Sequence, residues 1–95
     1  MPSNPSVRRD GDALVFGGAL VLSGVPALWD AARSGCAGVR RFDLTAVEQV
    51  DSAGLALLAE LAAHAGEGLA VDGSPEGLEE LCAAYRLSPA LAYAA

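Results

Sequence analysis

Apolar residues in this chain recur with two different periods, and the changes between them mark out seven elements. Val7 to Arg9 reads as a short strand, and Asp10-Gly11 after it is a two-residue hairpin signal, because glycine tolerates positive φ. Ala13 to Gly17 alternates, with Leu14 and Phe16 on one face, and Gly17-Gly18 ends or bulges that strand. The spacing then changes to three and four. Val25, Leu28, Trp29 and Ala32 predict a helix opened by Ser23 and Pro26, running to Ser34 and ended by Gly35 and Gly38. Arg40 to Leu44 reads as a short strand that Asp43 terminates or from which it faces out, with a loop from there to Val50-Asp51. Asp51 and Ser52 are capping residues ahead of a long helix from Ala53 to about Ala65, stopped by Gly66 and Gly68. Leu69 to Asp72 is another short strand. Ser74-Pro75-Glu76 then supplies a cap, a proline at the first position and an acid in the first turn of a helix. Leu78, Leu81, Cys82 and Tyr85 give that helix an apolar face, which makes Cys82 a buried thiol, and Ser88-Pro89 breaks it.

The predicted order is β-β-α-β-α-β-α. Strands alternating with helices imply crossovers and parallel pairing, and the opening hairpin adds an antiparallel strand. The expected fold class is α/β, a small mixed four-stranded sheet with helices mainly on one face. The 95 residues form one domain, with residues 1–6 loose and 88–95 a C-terminal tail.

Composition narrows the function classes. Apolar residues are 53% of the chain, enough for a packed core without disulfides or a metal. Acids outnumber bases 12 to 6, every base is Arg, and the net charge of −6 argues against nucleic acid or an anionic lipid surface as partner. The charge is unevenly placed: residues 1–41 carry +2 and residues 42–95 carry −8. An acidic half points to a partner with basic residues; equally, acids keep an alanine-rich surface soluble. Cys36 and Cys82 lack CxxC spacing and His64 is the single histidine, so no zinc site is expected. Two unpaired thiols suit a reducing cytoplasm.

Ala13 to Trp29 is an uncharged run of 17 residues, at the lower limit for a membrane span. Gly17, Gly18, Ser23, Gly24 and Pro26 interrupt it, and Asp10 and Asp12 stand where a signal peptide would be cationic. Neither a span nor a signal is expected.

The chemistry is concentrated in Phe42 to Leu61, FDLTAVEQVDSAGLALLAEL. Ser52 falls at a helix N-terminus, where unpaired N–H groups and the macrodipole favour an anion, so a phosphate added there would be stabilised. Gly54 permits close approach of another backbone. The plainer reading is that Asp51 or Ser52 only caps the helix and Gly54 fits a tight turn. Along the helix, Leu58 and Ala62 face the sheet, with Leu55 and Ala59 on one flank and Leu57, Leu61 and Ala65 on the other. An arc this wide exceeds what one sheet needs. Either neighbouring helices cover the remainder, or Leu57 and Leu61 face a partner.

Asp43-Leu44 followed by Asp51-Ser52-Ala53-Gly54-Leu55 resembles the signature of STAS domains, the sulfate-transporter and anti-sigma-factor-antagonist fold. The element order agrees over nearly the whole chain. In anti-sigma-factor antagonists the Ser after this Asp is phosphorylated by a partner kinase, which by position is Ser52. Asp51 to Leu58 (DSAGLALL) and Ala27-Leu28-Trp29-Asp30 resemble the small STAS subunit of the Mla phospholipid-trafficking ABC transporter. That resemblance implies a non-catalytic cytoplasmic subunit, acting at the inner membrane through the transporter. It would bind the ATPase subunit through Ser52, supported by Asp51, Ala53, Gly54 and Thr45, without a cofactor or direct membrane insertion. The alternatives are an anti-sigma-factor antagonist whose partner is an anti-sigma-factor kinase, and a small-ligand or nucleotide sensor using the same helix start.

Other residues point to less. Glu60 and His64 read as a solvated pair, and Glu76, Glu79 and Glu80 as first-turn acids complementing a helix dipole. Ser52 and His64 lie 12 residues apart on one helix, about 18 Å, too far for a nucleophile and its base. The chain has no Lys and so no phosphate-binding loop of the usual kind. An enzyme is not expected.

Overall fold

The computed structural model describes residues 4–35, 38–65 and 69–86. The order is β1 (Ser6–Asp10), β2 (Ala13–Leu20), α1 (Val25–Ala32), β3 (Arg41–Val50), α2 (Ser52–Ala65), β4 (Ala70–Asp72) and α3 (Leu78–Ala84). It is the predicted β-β-α-β-α-β-α. Strands lie in the order β1-β2-β3-β4, the first pair antiparallel and the other two parallel. The hairpin loop is Gly11-Asp12, one residue later than the sequence signal, with Gly11 at φ 61 in its first position as a primed turn requires. Ser6 already pairs with Gly17, so the expected loose N-terminus does not extend that far. Gly66, Gly68, Cys36 and the 88–95 tail lie outside the described residues.

Register separates the two faces of the sheet. Leu14 and Phe42 share a row, as do Val7 and Phe16, and this side is the core. Phe16 and Phe42 meet edge to face, their ring centroids 5.4 Å apart. The next row, Arg8–Val15–Asp43–Asp72, lies on the opposite, open face. There Arg41 pairs with Asp72 at 3.3 Å. Helix α2 packs on β2 and β3, with α1 and α3 against its sides. The 17-residue apolar run from Ala13 is thus divided among β2, a 3-10 turn at Leu22–Gly24 and α1. Among the described residues no helix is long and apolar enough to cross a membrane.

Two boundaries differ from the sequence expectation. The predicted loop after Leu44 is strand: β3 continues to Val50, paired with β2. Its alternation is broken by two bulges. From Val15 to Gly17 β2 advances two residues while β3 advances three, from Asp43 to Ala46, and Gly18/Ala19 stands opposite Val47/Gln49. The irregularities fall at Gly17-Gly18 as expected, but the extra residues are in β3. Each bulge resets the phase, so the buried positions are Phe42, Leu44, Val47 and Val50. Asp43 does not end the strand. It accepts bonds from the Thr45 N–H at 2.9 Å and the Thr45 hydroxyl at 2.6 Å, holding the first bulge.

The second difference is at α3. Ser74-Pro75-Glu76 does not open the helix, which begins at Leu78 after Gly77 at φ 90. Glu76 instead bridges to Gln49, and its carbonyl accepts the Val50 N–H at 3.2 Å. Tying the chain to β3 there delays the helix, and Glu76 is not a first-turn acid, although Glu79 and Glu80 are. Ser23 makes no capping bond at α1 either; Gly24 occupies the cap position.

Candidate functional site

The C-terminal ends of β2 and β3 meet the start of α2, and Asp51 joins all three. Its N–H donates to the Leu20 carbonyl at 3.2 Å. Its Oδ1 accepts the Gly54 N–H at 2.8 Å, closing the first turn of α2 as an N-cap. Its Oδ2 accepts the Leu22 N–H at 3.0 Å, fixing the turn that follows β2. The cap is therefore Asp51 alone, and Ser52 is the first helical residue.

Gly54 is required by contact with the neighbouring backbone. A Cβ there would collide with the Leu20 carbonyl oxygen and sit 2.8 Å from its carbon. The close approach expected at Gly54 is made by the end of β2. Ser52 is exposed, and among the described residues none hydrogen-bonds its hydroxyl. Ala53 is half-buried beside it.

Above this helix start lies a groove of about 370 Å³, lined by Leu22, Asp51, Ser52, Ala53, Leu55, Ala56, Ala59 and Tyr85. Leu22 is 70% exposed and Tyr85 51%, and among the described residues they are the exposed large hydrophobics. Both stand on the rim of this one groove. Neither was singled out by the sequence as a site residue. Leu22 precedes a predicted helix with no periodic partner, and Tyr85 falls on the apolar stripe of α3. That stripe turns outward along its length: Leu78 is buried, Leu81 and Cys82 are half-buried and Tyr85 is exposed. Cys82 is thus only partly covered, and that desolvation pushes its thiol above the ordinary range.

Three expected site residues fall elsewhere. Leu57 and Leu61 do not face a partner: they are 4% and 0% exposed and belong to the protein's own core. The solvent stripe of α2 is Ser52, Ala56, Glu60, Ala63 and His64, so neighbouring elements cover the wide arc. Thr45 does not support the helix start. It sits at the first β3 bulge, opposite Phe16 and about 13 Å along the sheet from Val50. Its bonds hold the Asp43 carboxyl below the usual carboxylate range, chiefly through the hydroxyl and then through the N–H. Glu60 and His64 are both exposed, and the imidazole of His64 lies 5.8 Å from the Trp29 ring. Among the described residues no group of three or more His, Cys, Asp or Glu is arranged to hold a metal.

The arrangement offers a fixed, shallow apolar surface beside an exposed hydroxyl at a helix N-terminus. A family model described as "Mlab, STAS domain" matches residues 5–91. A solved structure described as "Crystal Structure Analysis of Mglu" is similar over 76% of this chain, with 27% identity and a TM-score of 0.50. The match spans only 20% of that structure's chain. No curated protein matches.

Proposed function

The chain belongs to the STAS domain family, a family of regulatory binding modules, and from that premise we propose that it is a non-catalytic subunit of a phospholipid-trafficking ABC transporter. In this reading it binds the cytoplasmic ATPase subunit, supports its assembly and activity, and reaches the inner membrane only through the complex. The observation that carries the reading is the coincidence, on one groove, of exposed Ser52 with Leu22 and Tyr85, the exposed large hydrophobics among the described residues. Tyrosine is among the residues that anchor partner contacts, and exposed apolar surface gathered in one place marks an interaction site. The matching model's description supports the Mla assignment among STAS proteins. The experiment is co-expression of the tagged chain with the ATPase subunit of a phospholipid-trafficking ABC transporter from the same organism. A stoichiometric complex that raises ATPase turnover supports the reading, and the absence of a complex refutes it.

A second reading is favoured by one feature. The Ser52 hydroxyl is exposed, unpartnered among the described residues, and one position past the helix cap, where a kinase can reach it. In that reading the chain is an anti-sigma-factor antagonist released from its kinase by phosphorylation. Mass spectrometry of the chain purified from its own cells would decide it: phosphate on Ser52 supports it, and unmodified Ser52 in every growth phase refutes it.

A further inference from the structure

We propose that the partner segment seated at this surface combines a large apolar side chain with a Lys or Arg a few residues away; this rests on the reading of the surface as a partner site. Asp51 links two grooves, lining both the apolar one and a second, adjoining one of about 230 Å³. The second groove also holds Gln49 and Glu76. Among the described residues lining the two, Asp51 and Glu76 are the charged ones, and both are acids.

The two acids differ in their commitments. Both oxygens of Asp51 accept backbone N–H groups. Glu76 is exposed, while its backbone is held rigidly by the Val50 N–H and the bridge to Gln49. It is therefore an exposed carboxylate carried on an anchored stretch of backbone beside an apolar slot. Arg41, with Arg40 just before it, stands at the far end of β3, about 23 Å from Val50 by the Ala13–Leu20 stretch of β2 that pairs with it, and cannot neutralise it. Arg86 adjoins Tyr85, on the other rim of the first groove. The surface is thus polarised, with an apolar rim at Leu22 and Tyr85 and an anionic edge at Glu76. A neutral segment covering both grooves would strip water from Glu76 without compensation. A cation placed there offsets that cost and orients the segment, while the apolar residue fills the slot. Two acids of the acidic second half of the chain, Asp51 and Glu76, thus fall on this surface.

The test uses the whole chain and a library of random 12-residue peptides displayed on phage. The expected selection is peptides with Leu, Ile, Phe or Trp followed or preceded within about four residues by Lys or Arg. A fluorescent copy of the commonest peptide should lose at least tenfold in affinity on Leu22→Ala, Tyr85→Ala and Glu76→Arg. Glu60→Arg, an exposed acid outside both grooves, should leave binding unchanged, with circular dichroism confirming that each variant is folded. Selected peptides without a cation, peptides indifferent to Glu76→Arg, or no selection at all would overturn the proposal. So would two other occupants: a second copy, seen as dimer in sedimentation that Leu22→Ala abolishes, or residues 87–95, seen as selection only after their removal. The ATPase measured against the same variants keeps the two claims apart. Peptide binding without ATPase binding removes the ATPase reading alone. ATPase binding indifferent to Leu22→Ala and Glu76→Arg removes this proposal alone.

Discussion

Replacing Gly54 by alanine sets two opposed effects against each other. Alanine inside a helix is ordinarily better than glycine by about 0.5–1 kcal/mol, because glycine loses more backbone freedom. At this position the added Cβ would lie 2.8 Å from the Leu20 carbonyl carbon and closer still to its oxygen, against 3.4 Å or more for ordinary contact. Both obstructing atoms are backbone in a central strand, so they cannot rotate away. The start of α2 must retreat by more than half an ångström. That movement loosens the Asp51 N–H bond to Leu20 and strains the two bonds that Asp51 makes to Gly54 and Leu22. Overpacking costs about 1–3 kcal/mol, and partial weakening of these three hydrogen bonds adds about 1–2 kcal/mol. The clash therefore wins, with a net loss of about 2–4 kcal/mol. For a domain of this size that lowers the melting temperature by roughly 10–30 °C. Urea unfolding followed by circular dichroism and by Trp29 fluorescence measures it. Gly35→Ala is the control, because a Cβ at Gly35 meets nothing within 4 Å. Stability of Gly54→Ala equal to or above wild type would refute the close approach of α2 to β2.

Leu58 is 0% exposed at the middle of α2, so Leu58→Ala should cost about 2–5 kcal/mol, read by the same denaturation. Asp51→Ala removes an N-cap bond and the bond to Leu22, and should cost about 1–3 kcal/mol, with loss of amide exchange protection at Leu22 and Gly54. The Asp43 carboxyl, held by Thr45, should titrate below the usual carboxylate range in a carbon-detected NMR titration, and Thr45→Val should raise its midpoint. Because the folded midpoint is depressed, its stabilising contribution is present above the unfolded carboxylate value and is lost as pH falls through the folded midpoint. The destabilisation by Thr45→Val should accordingly shrink in acid.

Element order was legible because the period of the apolar residues changes at each boundary and turn residues stand between. The bulges of β3 were not, because an extra residue breaks alternation just as a loop does. Val47 and Val50, three apart, look aperiodic until the pairing with Gly18 and Leu20 is known. Ser74-Pro75-Glu76 obeys every local rule for a helix start, yet the bridge of Glu76 to β3 overrides it. At the site, Asp51, Ser52 and Gly54 were legible, since their types report a cap, an exposed hydroxyl and a close approach. Leu22 and Tyr85 were not, because exposure of an apolar residue is decided by what packs over it. For the same reason Leu57 and Leu61, apolar on a wide helix arc, turn out to be core.

On the proposed reading, the surface at Ser52 binds a partner and is not merely a helix start. Ser52→Glu separates the two, since the helix N-terminus accepts negative charge while a contact made against a neutral hydroxyl does not. The measurement is calorimetric affinity of this variant and of wild type for the ATPase subunit, with a melting curve on each. The expected result is a melting temperature little changed and an affinity at least tenfold weaker. Unchanged affinity in a folded variant would contradict it.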